Sequence, residues 1–474
     1  MERTEALIRK QFSYTPTPGQ ETLIPNLARF LETDKHNPVF ILKGYAGTGK
    51  TTIVSALVNM IHLIGKKAVL LAPTGRAAKV FSGYSGKQAL TIHKKIYRVS
   101  TAKDGSVVMA RQLNLHRNAL FIVDEASMIA TDTKSSGGEL FASYNLLENL
   151  IDYVFSGENC SLMLVGDTAQ LPPVGQQESP ALEHAYMKRT FDLTAGVFEL
   201  SDVVRQASDS GILANATLLR NAIKKNKISL PLFRIGEHKD IVRIGGAELE
   251  ELLNTEFGND DKSGTVVICR SNKRANLFNR EIRSRVLFHE SDIAAGDFIM
   301  VVKNNYFWLP ETSAAGFIAN GDIMEIMRIH KTETLYGFQF ADVTARLVDY
   351  PDEPEIEVKL LLDTITSESP ALPWTENRRL YAEVLEDYKD TASKFKRLQK
   401  VKTNPYFNAL QVKFSYALTC HKTQGGQWNT VFIDQGYFKE DMLNAEYLQW
   451  LYTALTRATG KVYLVNFNEL FFID

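Results

Sequence analysis

The run Gly44-Tyr-Ala-Gly-Thr-Gly-Lys-Thr51 constrains this chain more than any other segment, because the pattern G-x-x-x-x-G-K-T works only where a strand runs into a helix. The apolar stretch VFIL precedes it and TTIVSALVNMIHLI, a helical pattern, follows. Glycines are needed there so that the backbone can curl until its N–H groups point inward at phosphate oxygens, while the helix N-terminus adds a positive dipole. Chance would produce such a pattern only ~0.02 times in a chain of this length. The spacing predicts a nucleotide cradle of Gly44, Ala46, Gly47, Thr48, Gly49, Lys50, Thr51 and Thr52, with Lys50 reaching the β and γ phosphates and Thr51 ligating Mg²⁺. ATP and Mg²⁺ are the cofactors implied.

A phosphate cradle alone does not hydrolyse anything, and Phe121-Ile-Val-Asp124-Glu125 offers the missing half. An apolar strand delivers two carboxylates at its C-terminal end. Asp124 is placed to hold Mg²⁺ through the metal's water shell, and Glu125 to polarise the attacking water.

Short apolar runs alternate with helical patterns from about residue 38 to 205, with VFIL, AVLLAP, LFIVDE and SLMLVGD the clearest strands. That alternation predicts a parallel, doubly wound sheet. A second series begins at TVVICRSN, is interrupted, and resumes with FSYALTC, TVFIDQG and KVYLVN, so two α/β cores are expected. Within the first core, KIYRVSTAKDGSVVMARQL reads as a protruding hairpin about Asp104-Gly105. From roughly Asp297 to Thr364 the short strands FIMVVKN, DIMEIMRI, GFQFADVTARLV and IEVKLLL suggest a small inserted β-barrel, and residues 375–403 read as one charged helix or a helix pair. The expected division is 1–205 for the first core with its hairpin near 95–118, 206–296 for the start of the second, 297–403 for the insertions, and 404–474 for the remainder of the second core.

Composition narrows the classes further. The 474 residues are 45% hydrophobic and 23% charged, and no apolar run approaches the ~20 residues of a membrane span. Three cysteines without CxxC spacing, and an amino terminus lacking an apolar h-region, suggest a reducing, cytoplasmic setting. A formal net charge of −1 gives no electrostatic hint of a nucleic-acid partner; only Arg270–Arg285 and Lys394–Lys402 are locally basic.

Several further segments separate a motor from other P-loop proteins. Leu164-Val-Gly-Asp-Thr-Ala-Gln-Leu-Pro-Pro-Val-Gly175, Ala72-Pro-Thr-Gly-Arg-Ala-Ala-Lys79, Thr91-Ile-His93, Val203-Val-Arg205-Gln, Tyr416-Ala-Leu-Thr-Cys-His-Lys-Thr-Gln-Gly-Gly426 and Tyr452-Thr-Ala-Leu-Thr-Arg457-Ala follow one another in order. In these the chain resembles a superfamily 1 helicase of the RecD/Dda-like, 5′ to 3′ branch, from about Gln20 to Arg457. The resemblance implies two RecA-like cores, with an SH3-like barrel and a tower-like helical segment inserted in the second. It implies γ-phosphate sensing by Gln170, adenine reading by Gln20 and a strand-separating pin at the hairpin. It also implies a barrel, carrying Asn320-Gly-Asp322, that lies over single-stranded DNA. Arg457, far in sequence from the P-loop, can meet the γ-phosphate only if two domains close on the nucleotide, as an arginine finger supplied in cis; Arg205 is a second candidate. The DNA track is expected at Pro73, Thr74, Thr91, His93, Thr419, His421 and Lys422, although capping and turn chemistry would equally explain the threonines. The resemblance implies a monomer that acts on single-stranded DNA and on its junctions with duplex, with other repair or recombination proteins as candidate partners and no membrane.

Other readings remain at this point. A protein-remodelling ATPase of the AAA+ class would have one α/β core and a helical lid, whereas strands here resume after 265 and again after 412. A GTPase would need an Asn-Lys-x-Asp motif, which is lacking. A DNA-stimulated ATPase subunit of an exonuclease complex, without unwinding of its own, is the third.

Overall fold

In the computed structural model the described residues are 1–473 apart from 13, 102–106, 132–144, 177, 203–209, 237, 259–261, 311–312, 314 and 316. The first core contains β1 (Pro38–Gly44), β2 (Lys67–Ala72), β3 (Ala89–Thr91), a hairpin of β4 (Tyr97–Thr101) and β5 (Val107–Arg111), then β6 (Ala119–Val123), β7 (Ser161–Gly166) and β8 (Thr194–Leu200). Six of these form one parallel sheet in the order β3-β2-β6-β7-β1-β8. Every residue of β6 and β7 is buried, the signature of a sheet covered on both faces by helices. Because β6, β7 and β1 are neighbours, the loops that leave them are brought side by side at one edge of the sheet. The hairpin strands pair antiparallel as expected; their turn, with Asp104, lies outside the described residues.

The second core is another parallel sheet, in the order β16-β10-β17-β18-β9. Its strands are β9 (Ile241–Ile244), β10 (Thr265–Cys269), β16 (Ala417–Thr419), β17 (Trp428–Asp434) and β18 (Ala458–Val465). Inserted after β10 is a closed barrel of β11 (Phe298–Val301), β12 (Ile323–Leu335), β13 (Phe338–Leu347), β14 (Ile356–Leu361) and β15 (Leu410–Phe414). Two helices, Trp374–Glu386 and Lys394–Lys402, stand on the barrel over Phe338, Phe340 and Leu361.

Residues 404–474 were assigned wholly to the second core, yet Leu410–Phe414 is the barrel's closing strand, pairing β11 on one side and β14 on the other. The apolar run splits at Ser415-Tyr416, where Tyr416 donates its hydroxyl to buried Asp297 at 3.0 Å and accepts the Phe298 N–H at 3.1 Å. Arg283 grips the same carboxylate with two bonds of 3.0 Å, fixing barrel to core.

The barrel also touches the first core. Asp322, just before β12, lies against Gly75, where an added Cβ would stand 2.2 Å from Asp322 Oδ1, and Lys79 bridges to Asp349 at 3.2 Å. Asp322 is buried, with Oδ2 accepting the Ala319 N–H and Oδ1 unpartnered among the described residues, and burial pushes its carboxyl up to about 7. The folded protein therefore binds this proton more tightly than the unfolded chain. The contribution of this group to stability is full below about pH 4 and declines as pH rises through 7. Melting temperature is accordingly expected to fall between pH 5 and 8, with Asp322→Asn flattening that slope; an unchanged slope in thermal melts of the variant would refute the assignment.

Candidate active site at the seam of the two cores

The loop leaving β1 has the shape a phosphate requires. Gly47 and Gly49 take positive φ of 74° and 80°, which side-chain-bearing residues resist, and a Cβ at Gly44 would stand 2.8 Å from Lys50 Cγ. Thr48 closes the turn through its hydroxyl onto the Tyr45 carbonyl at 2.8 Å. Lys50 is folded onto its own loop, donating to the carbonyls of Gly44 at 2.7 Å and Tyr45 at 2.9 Å. The helix Lys50–Met60 begins with no side-chain cap, so its first N–H groups, including those of Thr51 and Thr52, are left for an anion.

Beside it, the loop leaving β6 presents Asp124 and Glu125. Asp124 Oδ1 accepts the Glu125 N–H at 2.9 Å and Oδ2 accepts the Tyr84 hydroxyl at 2.6 Å. Burial raises both carboxyls, while Lys50 pulls both back down. For Glu125, Arg457 is the stronger opposing influence, and its Nη1 is 4.0 Å from Glu125 Oε1. Asp124 keeps a spare lone pair on each carboxylate oxygen, and the Thr51 hydroxyl has no hydrogen bond among the described residues; both are hard oxygen donors of the kind that would hold Mg²⁺.

Arg457 arrives from the other core. The helix Ala445–Leu455 ends two residues before it, and Arg457 is 4% exposed. It donates to the carbonyls of Thr453 at 3.1 Å and Gly426 at 3.3 Å and to Thr456 Oγ1 at 3.3 Å. These bonds aim it across the seam at Glu125. Gln170, in the loop leaving β7, is buried there, and its Oε1 has no hydrogen-bond partner among the described residues. The seam is packed as well as polar: Tyr45, Ala169 and Leu171 of the first core share a cluster with Leu418, Trp428 and Tyr452 of the second.

Comparison with known proteins agrees with this arrangement. Residues 17–230 match the AAA domain model, and residues 414–465 match the UvrD-like helicase C-terminal domain model, which carries the arginine side of the seam. In both matched stretches the chain is similar to the superfamily 1B helicases of RecD/Dda type. It is 28% identical to the ATP-dependent DNA helicase dda of Enterobacteria phage T4, over 60% of this chain and 60% of that protein. It is 24% identical to the ATP-dependent RecD2 DNA helicase of Deinococcus radiodurans, over 94% of this chain and 50% of that protein. The matched stretch thus spans half to three fifths of those relatives. A crystal structure of Pif1 helicase from Bacteroides, in complex with ADP-AlF3 and ssDNA, overlies 98% of this chain and 95% of its own at 15% identity and a TM-score of 0.45.

The remaining candidates of this helicase distribute unevenly. Gln20 is 4% exposed and caps the helix Pro18–Leu31, its Oε1 accepting the Thr17 N–H at 2.9 Å, which leaves the amide NH₂ for a base acceptor. Arg205 lies outside the described residues. Pro73 and Thr74 follow β2, and Thr91 ends the adjacent β3. Both threonine hydroxyls cap helices, accepting the N–H of Ala77 at 3.2 Å and of Lys94 at 3.1 Å. Thr419 starts the helix Cys420–Thr423 without using its side chain as a cap. Burial lowers His93 to about 4 and Lys422 to about 8, and lowers His421 as well, so both imidazoles are neutral at pH 7. The two halves meet where Gly425, at φ 73°, abuts Thr74 and Ala77, and where Arg76 stacks 3.9 Å above Trp428. Arg76, Tyr84, Asp167 and Tyr452 were missed as site residues; three lie inside quoted motifs, but only folding reveals what they touch.

Proposed function

We propose that this helicase hydrolyses ATP between its two cores and uses the resulting opening and closing to move 5′ to 3′ along single-stranded DNA and unwind duplex ahead of it. The observation that carries the reading is the approach of Arg457, on the second core, to Glu125 on the first. A nucleotide bound on the loop 44–51 would meet Lys50 from one side and Arg457 from the other. Glu125 would orient and polarise the attacking water, Gln170 would contact the γ-phosphate, and the paired cations would neutralise charge that builds on the transferred group. Mg²⁺, when bound between Thr51 and Asp124, would supply further neutralisation of the phosphates. Loss of the γ-phosphate removes the shared partner of the two cores, so the seam is free to open.

Movement along DNA follows if the strand rests on both cores at once. Thr74 and Thr91 on one side and Thr419, His421 and Lys422 on the other offer hydroxyls, helix N-termini and one cation, contacts that ignore base sequence. A second parallel sheet in place of a helical lid weighs against the protein-remodelling reading. The chain is read as a monomer acting on single strands and junctions in repair, recombination or replication, in the cytoplasm; among the described residues no helix is long and apolar enough to cross a membrane. ATP turnover is expected to rise strongly on adding single-stranded DNA, and unwinding to require a 5′ tail. Turnover indifferent to DNA would remove the motor reading, and unwinding that demands a 3′ tail would reverse the polarity.

A further inference from the structure

Tyr452 is 1% exposed in the last helix of the second core, and its single hydroxyl meets two loops of the first. Its proton goes to Asp167 Oδ2 at 2.6 Å, and its oxygen accepts the Ala46 N–H of the phosphate loop at 2.9 Å. The neighbouring residue extends the grip, since Thr453 Oγ1 accepts the Leu171 N–H at 2.8 Å. Gln424 holds the other face of Leu171, donating to its carbonyl at 2.6 Å. Asp167 itself receives the Ala169 N–H at 2.9 Å. Both ends of the segment 167–171 are thus pinned by the second core, and Gln170 sits between the pins.

Resting on the ATPase reading above, we propose that Tyr452 is a positioning residue: its hydroxyl holds the 167–171 loop, and Gln170 with it, in register with the phosphate loop. One hydroxyl can do this because it is satisfied as donor and as acceptor at once, and burial beside Asp167 keeps it protonated. Closure of the second core then sets three motifs by a single contact, not only by delivery of Arg457. Motif residues misplaced by ~1 Å cost on the order of 10²-fold in rate, so the loss of this one group should register in turnover.

Tyr452→Phe keeps the ring and removes the hydroxyl. Its kcat is expected to fall about 10- to 100-fold with KM for ATP within about twofold of wild type, a split that a merely loosened fold would not produce. Asp167→Asn should give a similar loss, and the double variant no more than the larger single one, because the two changes break one contact. Should Tyr452→Phe alone fold poorly, Asp167→Asn tests the same contact from its other side, with the Tyr452 ring and its bond to the Ala46 N–H left in place. A kcat within twofold of wild type, or losses that multiply independently, would overturn the proposal. If wild-type turnover ignores DNA, the motor reading fails by itself, since unstimulated turnover still reports the Tyr452 effect.

Discussion

Replacing Arg457 with Ala is expected to lower DNA-stimulated ATP turnover by about 10³-fold or more, the scale found when a charge-neutralising arginine is withdrawn from phosphoryl transfer. Nucleotide affinity should change little, because the cradle of residues 44–51 is built without it. The guanidinium is held by carbonyls of Thr453 and Gly426, and among the described residues no carboxylate closer than Glu125 competes for it. Lys at this position should rescue poorly, since an ammonium cannot reproduce a planar fork held at three points. The variant also carries a pH signature. Arg457 holds the Glu125 carboxyl down against burial, so its removal raises that group further. The acid limb of the residual activity, where protonation of the base stops the reaction, should move to higher pH. Equal turnover in wild type and variant would dissolve the two-core site.

Glu125→Gln should be nearly as severe, by about 10²- to 10⁴-fold in hydrolysis, as expected when a positioned base is lost. The amide keeps the side chain's shape and drops its charge, so ATP binding should persist and a complex with ATP and single-stranded DNA should accumulate. Rapid-quench measurement of the chemical step with filter binding of the trapped complex tests both halves; hydrolysis near the wild-type rate would assign the base elsewhere. The backbone at this residue has φ 52°, a left-handed conformation unusual for glutamate, and it turns the side chain from the end of β6 toward the seam.

What could be read ahead of the structure follows a physical division. β1, β2, β6 and β7 were legible because strands in a covered parallel sheet are continuous apolar runs. Their half-exposed neighbour Thr194–Leu200, and the three-residue strand Ala89–Thr91, carry no such pattern and went unseen. The run FSYALTC reads as one strand of the second core, yet Phe414 ends the barrel strand Leu410–Phe414 and Ala417–Thr419 lies in the other sheet, because apolar character says that a segment is buried but not against what. In the site, capping accounts for the hydroxyls of Thr74 and Thr91 in this state, whereas Thr419 keeps its own free of that duty.

By itself the amino-acid order determined the phosphate loop, the carboxylate pair at the end of β6 and the presence of two α/β units. Each of these depends on neighbours a few residues away: glycines that permit a turn, an apolar strand before it, a helix after it. Only the tertiary structure decided which groups face one another across the cleft. Ala46 and Tyr452 are 406 positions apart and Asp167 and Tyr452 are 285 apart, yet one hydroxyl joins all three. Such meetings arise from how two sheets pack through a shared apolar cluster, a property of summed burial over the whole chain that no local pattern encodes.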